Sequence, residues 1–431
     1  MDFFEIDEDT DLNLLHFKFK DLNNQLGYVG AKEVVSSWGN DFYDRDKKAK
    51  KEFQTSFHST FWELYLHAAL KEMNFKVSEK HNRPDFIVEA PKEMYIEAVV
   101  SEIKKDGTPE KLRTIEDVEA NLRPIKTKRE FTDIIDEAIS RHSNSLKSKL
   151  EKYTGYIRKK DNKPIKGYVD CNWVSPKAPY IVALSSYDQI AYGREFIYSM
   201  FALLYGHYYD PENKAYTKKN KIKKPGTNSD LDLGIFLNPA FKEVSAVLFC
   251  NTLTLGKLSS LHKSEKISFD TVLNIRYLQD EPHFRVHEVT PENPEQLLDG
   301  LYIFHNPFAK NKINFDIFNK LAQFSMDEYG LHQIGNYPLI VSRFHTNMLP
   351  SSIIPSIKAD AFSSYNPEYC MRELKKEICL LKPAKGERIR QKKKRTNKIA
   401  KASRRKNRWE TLISSTIYQR YIFAHSRLDD H

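Results

Sequence analysis

The sequence is poor in cysteine, in glycine and in long apolar runs, and each shortage removes a class of protein. Its four cysteines (Cys171, Cys250, Cys370 and Cys379) are scattered, with no CxxC pair and no histidines at metal-ligand spacing. That argues against a disulfide framework or a structural zinc and for a reducing compartment. Fifteen glycines and 29% charged residues suit a soluble globular chain rather than a disordered one. The longest apolar run, around Phe201–Tyr205, falls far short of a membrane span. The opening MDFFEIDEDTDLNLL is acidic where a secretory signal would be basic. A soluble, cytoplasmic protein with no membrane partner is expected. Several catalytic signatures are missing too: GxxxxGK[ST], GxGxxG after a strand, GxSxG and HExxH are all absent. His58 and His67, nine apart on one predicted helix, read as solvated or core-edge groups.

What is present is ample material for a core: 40% hydrophobic residues, with 23 Tyr and 26 Phe, enough for one large domain or two ordinary ones. Charge is uneven. The stretch Lys385–Arg408 holds thirteen Lys or Arg against Glu387 alone, a local +12, so the remainder of this +10 chain is close to neutral at −2.

Residues 1–50 read as a loosely determined lead-in with one or two short strands. Residues 51–255 form the expected core, 256–382 an accessory α+β region, and 383–431 a basic tail with a terminal amphipathic segment. In the core, Phe53, Phe57, Phe61, Leu64 and Ala68 recur at helical spacing. Strands are predicted at 75–78, 86–89 and 94–100, the last with the continuous apolar run of a sheet covered on both faces. A helix over 131–153, a buried strand from Tyr180 and a helix over 195–205 follow. Residues 214–232 read as a loop, 234–237 as a strand, and 310–330 as helical. Alternating helices and strands predict an α/β fold: a mixed central sheet flanked by helices, with α+β elaborations.

Three acids stand out by placement. Glu63 lies early on the first core helix, Asp85 opens a strand after Pro84, and Glu97 lies in the next strand. Pairing of those strands as a hairpin through 90–92 sets Asp85 and Glu97 roughly opposite each other, close enough to share an ion. Alternation places Tyr95, Glu97 and Val99 on one face and Ile96, Ala98 and Val100 on the other. A carboxylate among apolar neighbours in a buried strand is costly unless a cation or donor meets it. Each acid alone also has an ordinary structural explanation, in turn chemistry or a solvated position, and the pattern gains its force from order.

With Glu63, Pro84-Asp85 and Glu97-Ala98-Val99 in this order, residues 55–155 resemble the PD-(D/E)XK, restriction-endonuclease-like nuclease superfamily, as a divergent member with Val where the motif Lys belongs. The resemblance implies that Asp85 and Glu97 bind Mg²⁺ or Mn²⁺, that Glu63 assists as a further ligand, and that a lysine orients the attacking water. Members of the family relocate that lysine to a neighbouring helix. Here Lys149, four residues before Tyr153 and on the same helix face, is the best substitute, ahead of Lys147 and Lys104.

The tail adds a cationic arm in which Lys392, Lys393, Lys394, Arg395, Arg404, Arg405 and Lys406 would meet phosphates. A solvated tail or a contact to an acidic protein stays open. Trp409, Tyr418, Tyr421 and Phe423 could dock on the body or stack on bases. The expected activity is metal-dependent endonucleolytic cleavage of DNA rather than RNA, and a restriction or phage-defence role would suit it by analogy. The alternative is an inactive nuclease-fold protein that binds nucleic acid or serves as an adaptor. A homodimer or a partner subunit is compatible with either.

Overall fold

Residues 49–72 carry more apolar side chains than one helix face can use, and the tertiary structure follows from covering them. The computed structural model describes residues 1–380 apart from 9, 103–106, 187–192, 336–337 and 348, together with 395 and 397–403 of the tail. Its first four α-helices are α1 (Phe17–Asn24), α2 (Val29–Gly39), α3 (Ala49–Thr55) and α4 (His58–Glu72). On α4, Phe61, Trp62, Leu64, Tyr65, Leu66 and Ala69 are all buried. A helix apolar on nearly every side needs cover on two sides. A sheet supplies one cover, and residues 1–50 supply the other.

The lead-in therefore differs from expectation: in place of short strands it forms α1 and α2. Phe4 meets Phe53 with ring centroids 5.6 Å apart, and Trp38 meets Tyr65 at 5.6 Å. Burying each large side chain contributes about 1.5–3 kcal/mol. That packing holds helices too short to persist alone.

The main sheet has eight strands, β1 (Lys76–Ser78), β2 (Phe86–Ala90), β3 (Met94–Ser101), β4 (Tyr180–Ser186), β5 (Ala246–Cys250), β6 (Leu301–His305), β7 (Ala322–Asp327) and β8 (Gly330–Ile334), side by side in chain order. It is mixed: β1–β2–β3 is an antiparallel meander, while β3–β4, β4–β5 and β6–β7 are parallel. The helix α5 (Lys128–Thr154) connects β3 to β4, and α6 (Tyr198–Tyr205) follows β4. Each sheet face carries its own core. Ile96, Ala98 and Ala183 pack with α4, whereas Tyr95, Val182 and Leu184 pack with α5 and α6. The α/β class and the two-sided burial of β3 match expectation.

Three local expectations do not hold. Within 310–330, predicted helical, residues 322–327 form β7, because Phe324 stacks on Phe304 at 4.9 Å and tertiary pairing overrides local pattern. Residues 235–237 make a 3-10 turn instead of a strand. The predicted loop 214–232 contains short paired strands at Ala215–Lys218, Lys221–Lys223 and Asp230–Asp232, exposed apart from Ile222 and Leu231.

A three-stranded antiparallel sheet (Phe284–Glu288, Asp270–Tyr277, Leu339–Asn347) packs with the helix α7 (Leu255–Glu265). The chain divides into two units, Met1–Pro367 and Glu368–His431. Residues 1–50 and 51–255 and most of the accessory region lie in the first. In the second, the helix Pro367–Leu380 precedes the tail, whose described residues are helical and exposed.

Candidate metal centre

The β2–β3 register decides where the strand acids meet. Its last ladder pair is Phe86 with Ile96, so Asp85 and Glu97 come next, across from each other. Oδ2 of Asp85 accepts the Ala98 backbone N–H at 2.7 Å. From the other side Arg45, between α2 and α3, donates to the carbonyls of His81 at 2.8 Å and Pro84 at 3.3 Å, and to the Asp85 carbonyl. The backbone that carries Asp85 is thereby held by a cation from the N-terminal helical layer.

Glu97 is 1% exposed and shares the α5 side of β3 with Tyr95 and Val99. The half-buried Val99 has no polar group to offer it. Lys149 supplies the cation instead: its Nζ donates to Glu97 Oε1 at 2.8 Å. Lys152 reaches the same oxygen at 3.5 Å, and the Tyr168 hydroxyl donates to it at 3.3 Å. Glu97 Oε2 is buried without a hydrogen-bond partner among the described residues.

Packing explains why Lys149 is the lysine that arrives. Tyr153, one turn on, stacks on Tyr180 with centroids 4.0 Å apart, and the Tyr180 hydroxyl donates to the Lys149 carbonyl at 2.9 Å. These contacts clamp the end of α5 onto β4, beside β3. Lys147 is exposed and makes no ion pair with these acids, and Lys104 lies outside the described residues.

The electrostatics show a site short of positive charge. Burial, then the Glu97 carboxylate, pushes the Asp85 pKa up to about 6, with Lys149, the Ala98 N–H and Arg45 opposing. Burial and the Asp85 charge push Glu63 up to about 8, with Arg45 opposing. Glu63 makes no hydrogen bond or ion pair among the described residues, so the neighbouring charges act on it through space. Burial works to discharge Lys149, but Glu97 and Asp85 outweigh it and hold its pKa above the ordinary lysine value.

A hard divalent cation suits this deficit, because Mg²⁺ needs only one or two carboxylates, with water completing its shell. Glu97 Oε2, unpartnered among the described residues, is the atom such an ion would satisfy, with Asp85 opposite Glu97 in the extended strand register. Among the described residues no group of three or more His, Cys, Asp or Glu side chains is placed to hold a metal. The fit therefore rests on the Asp85–Glu97 pair, with Glu63 nearby as a third carboxyl group.

Reading the sequence missed Arg45, Lys152 and Tyr168. Lys152 had a signal, three residues after Lys149 on the same helix face. Arg45 and Tyr168 had none, since their contacts span 36 and 71 positions. In the tail, Arg395 is helical and exposed, whereas Lys392, Lys393, Lys394, Arg404, Arg405, Lys406, Trp409, Tyr418, Tyr421 and Phe423 lie outside the described residues. No described helix is long and apolar enough to cross a membrane. No protein-family model, curated protein or solved structure matches the chain.

Proposed function

We propose that this chain is a divalent-metal-dependent nuclease of the restriction-endonuclease-like type, cleaving DNA phosphodiester bonds. One observation carries the reading. A lysine from α5 meets Glu97 at 2.8 Å, across from Asp85, at a site where Val99 replaces the lysine of the PD-(D/E)XK pattern. The succession α4–β1–β2–β3–α5–β4, an antiparallel meander followed by a parallel strand, is compatible with that family's core.

Asp85 and Glu97 would hold Mg²⁺ or Mn²⁺, and Glu63 would add a third carboxyl group beside them, one that a bound cation would favour in its ionised form. A divalent cation there supplies an acidified water and neutralises charge at the scissile phosphate. Lys149, held charged by the two acids, offers its ammonium protons to orient the attacking water and to the developing phosphate charge. Tyr168 and Lys152 keep the Glu97 carboxylate oriented, and Arg45 keeps the Asp85 backbone in place.

The test is cleavage of plasmid and linear DNA with Mg²⁺ or Mn²⁺ against EDTA, using wild type, Asp85→Ala and Glu97→Ala. Metal-dependent cleavage lost in both variants supports the nuclease. A second reading, an inactive nuclease-fold binding protein or adaptor, is favoured by Val99 and by the two lysines that already partner Glu97. DNA binding without cleavage under every metal condition would establish it.

A further inference from the structure

Directly after α5 the chain forms a two-stranded hairpin, Tyr156–Arg158 paired with Lys163–Ile165. Its turn is locally encoded. Arg158 makes a two-point contact with Asp161 at 2.9 and 2.7 Å, and Asn162 takes the left-handed conformation at φ 53°. Between Tyr156 and Lys166 five basic residues face one acid, a charge of +4 in a body that is −2 over all residues outside the basic tail. Arg158 is engaged by Asp161, but Lys159, Lys160, Lys163 and Lys166 are exposed and form no ion pair among the described residues.

Nothing in the fold's stability explains this element. No hairpin residue belongs to either hydrophobic core, and Tyr156 and Ile157 are 41% and 63% exposed. A lone two-stranded hairpin is marginal in water. Its position is informative, however. The hairpin leaves from Gly155 and returns at Gly167, where a Cβ on Gly167 would lie 2.2 Å from the Tyr153 carbonyl oxygen. Lys152 just before that foot and Tyr168 just after it both touch Glu97. The basic hairpin is thus rooted at the candidate metal centre.

We propose that this hairpin grips the phosphate backbone of duplex DNA beside the scissile bond. The inference rests on the nuclease reading for its purpose but on charge and position for its binding. Five residues per arm at about 3.3 Å each reach roughly 15 Å from the foot, about the axial length of four or five phosphates on one strand. That leaves four unpaired lysines for a similar number of phosphates.

The test is equilibrium binding of the full chain to a fluorescent DNA duplex in EDTA, across a range of salt concentrations. Cleavage with Mg²⁺ is assayed separately, so failure of the nuclease reading and failure of this one are distinguishable. Replacing Lys159, Lys160, Lys163 and Lys166 by Gln should lower the slope of log K against log salt by about 3 to 4, with the tail still present. A fall of two or more supports the hairpin as a DNA grip, and a smaller change overturns it. If that variant loses its cooperative melt, Lys159→Gln/Lys160→Gln decides the matter: a fall of at least one supports the proposal and a smaller one overturns it.

Discussion

Glu295 and Glu97 are both fully buried carboxylates in one chain, and they are met differently. Around Glu295, Arg343 engages both oxygens, Lys257 donates at 3.0 Å, Asn274 at 2.9 Å, and Ser260 adds a hydroxyl. Burial works against the ionised form there, but Arg343 and Lys257 outweigh it and hold the pKa far below the usual carboxylate range. That cluster ties α7 to the three-stranded sheet and has no oxygen left over. At the other site one Glu97 oxygen has three donors while the second has none among the described residues, and Asp85 and Glu63 are pushed upward. A buried acid with every oxygen met by a donor fits a structural role, whereas buried acids whose pKa values are pushed upward are candidates for a functional site.

Breaking the two clusters should give opposite signatures. The largest effect is expected at the metal centre: Asp85→Ala should lower metal-dependent cleavage by roughly 10³–10⁴-fold, the several kcal/mol a metal contributes to the transition state. Its metal-free melting temperature should change little, because relief of a desolvated acid offsets the lost acceptor of the Ala98 N–H. Glu295→Ala should destabilise the fold by about 3–5 kcal/mol, because it strands Lys257 and Arg343 in the interior. Denaturant unfolding without metal would read that loss, and added Mg²⁺ should not restore it.

Lys149→Ala should cost cleavage about 10²-fold, the range of a positioned proton-handling group. Adding Val99→Lys to that variant should recover part of the loss, since Val99 shares the Glu97 face. Undiminished cleavage by Lys149→Ala would remove this lysine from the mechanism.

The smallest effect is in pH. The folded chain keeps protons on Asp85 up to about pH 6 and on Glu63 up to about pH 8, while the unfolded chain has released them by then. These groups therefore lower stability as pH rises through that window, by about 1–3 kcal/mol allowing for solvent screening. Without metal, Asp85→Asn should melt above wild type at pH 8 and approach it only at about pH 3–4, at or below the unfolded carboxyl's value. Mg²⁺ should close that gap by stabilising wild type alone. A gap that does not vary with pH would show that the acids are already neutralised.

The candidate site was partly legible in the sequence because part of it is local. Strand alternation put Glu97 with Tyr95 and Val99, the short β2–β3 connection set it against Asp85, and helical period put Lys149 with Tyr153. These follow from periodicities of two and 3.6 residues, which need no tertiary knowledge. The hairpin turn at Arg158–Asn162 is local in the same way, and the basic run Arg158–Lys166 that it carries is plain in the sequence.

The structure settled what periodicity cannot reach. α4 is apolar on nearly every side, and local pattern does not say what covers its far side; residues 1–50 do so as helices. The alternation in 322–327 became visible as a strand only through its parallel neighbour β6. Helical period singled out Lys149 ahead of Lys147 and Lys104, but its contact with Glu97 depends on where α5 is clamped, through Tyr153 stacking against a strand 27 residues later. The sequence by itself determined the order of the acids and the faces they occupy, since both come from bond geometry along the chain. Tertiary structure alone decided which cations reach those acids and how many, because burial and long-range packing set the charge balance at the site.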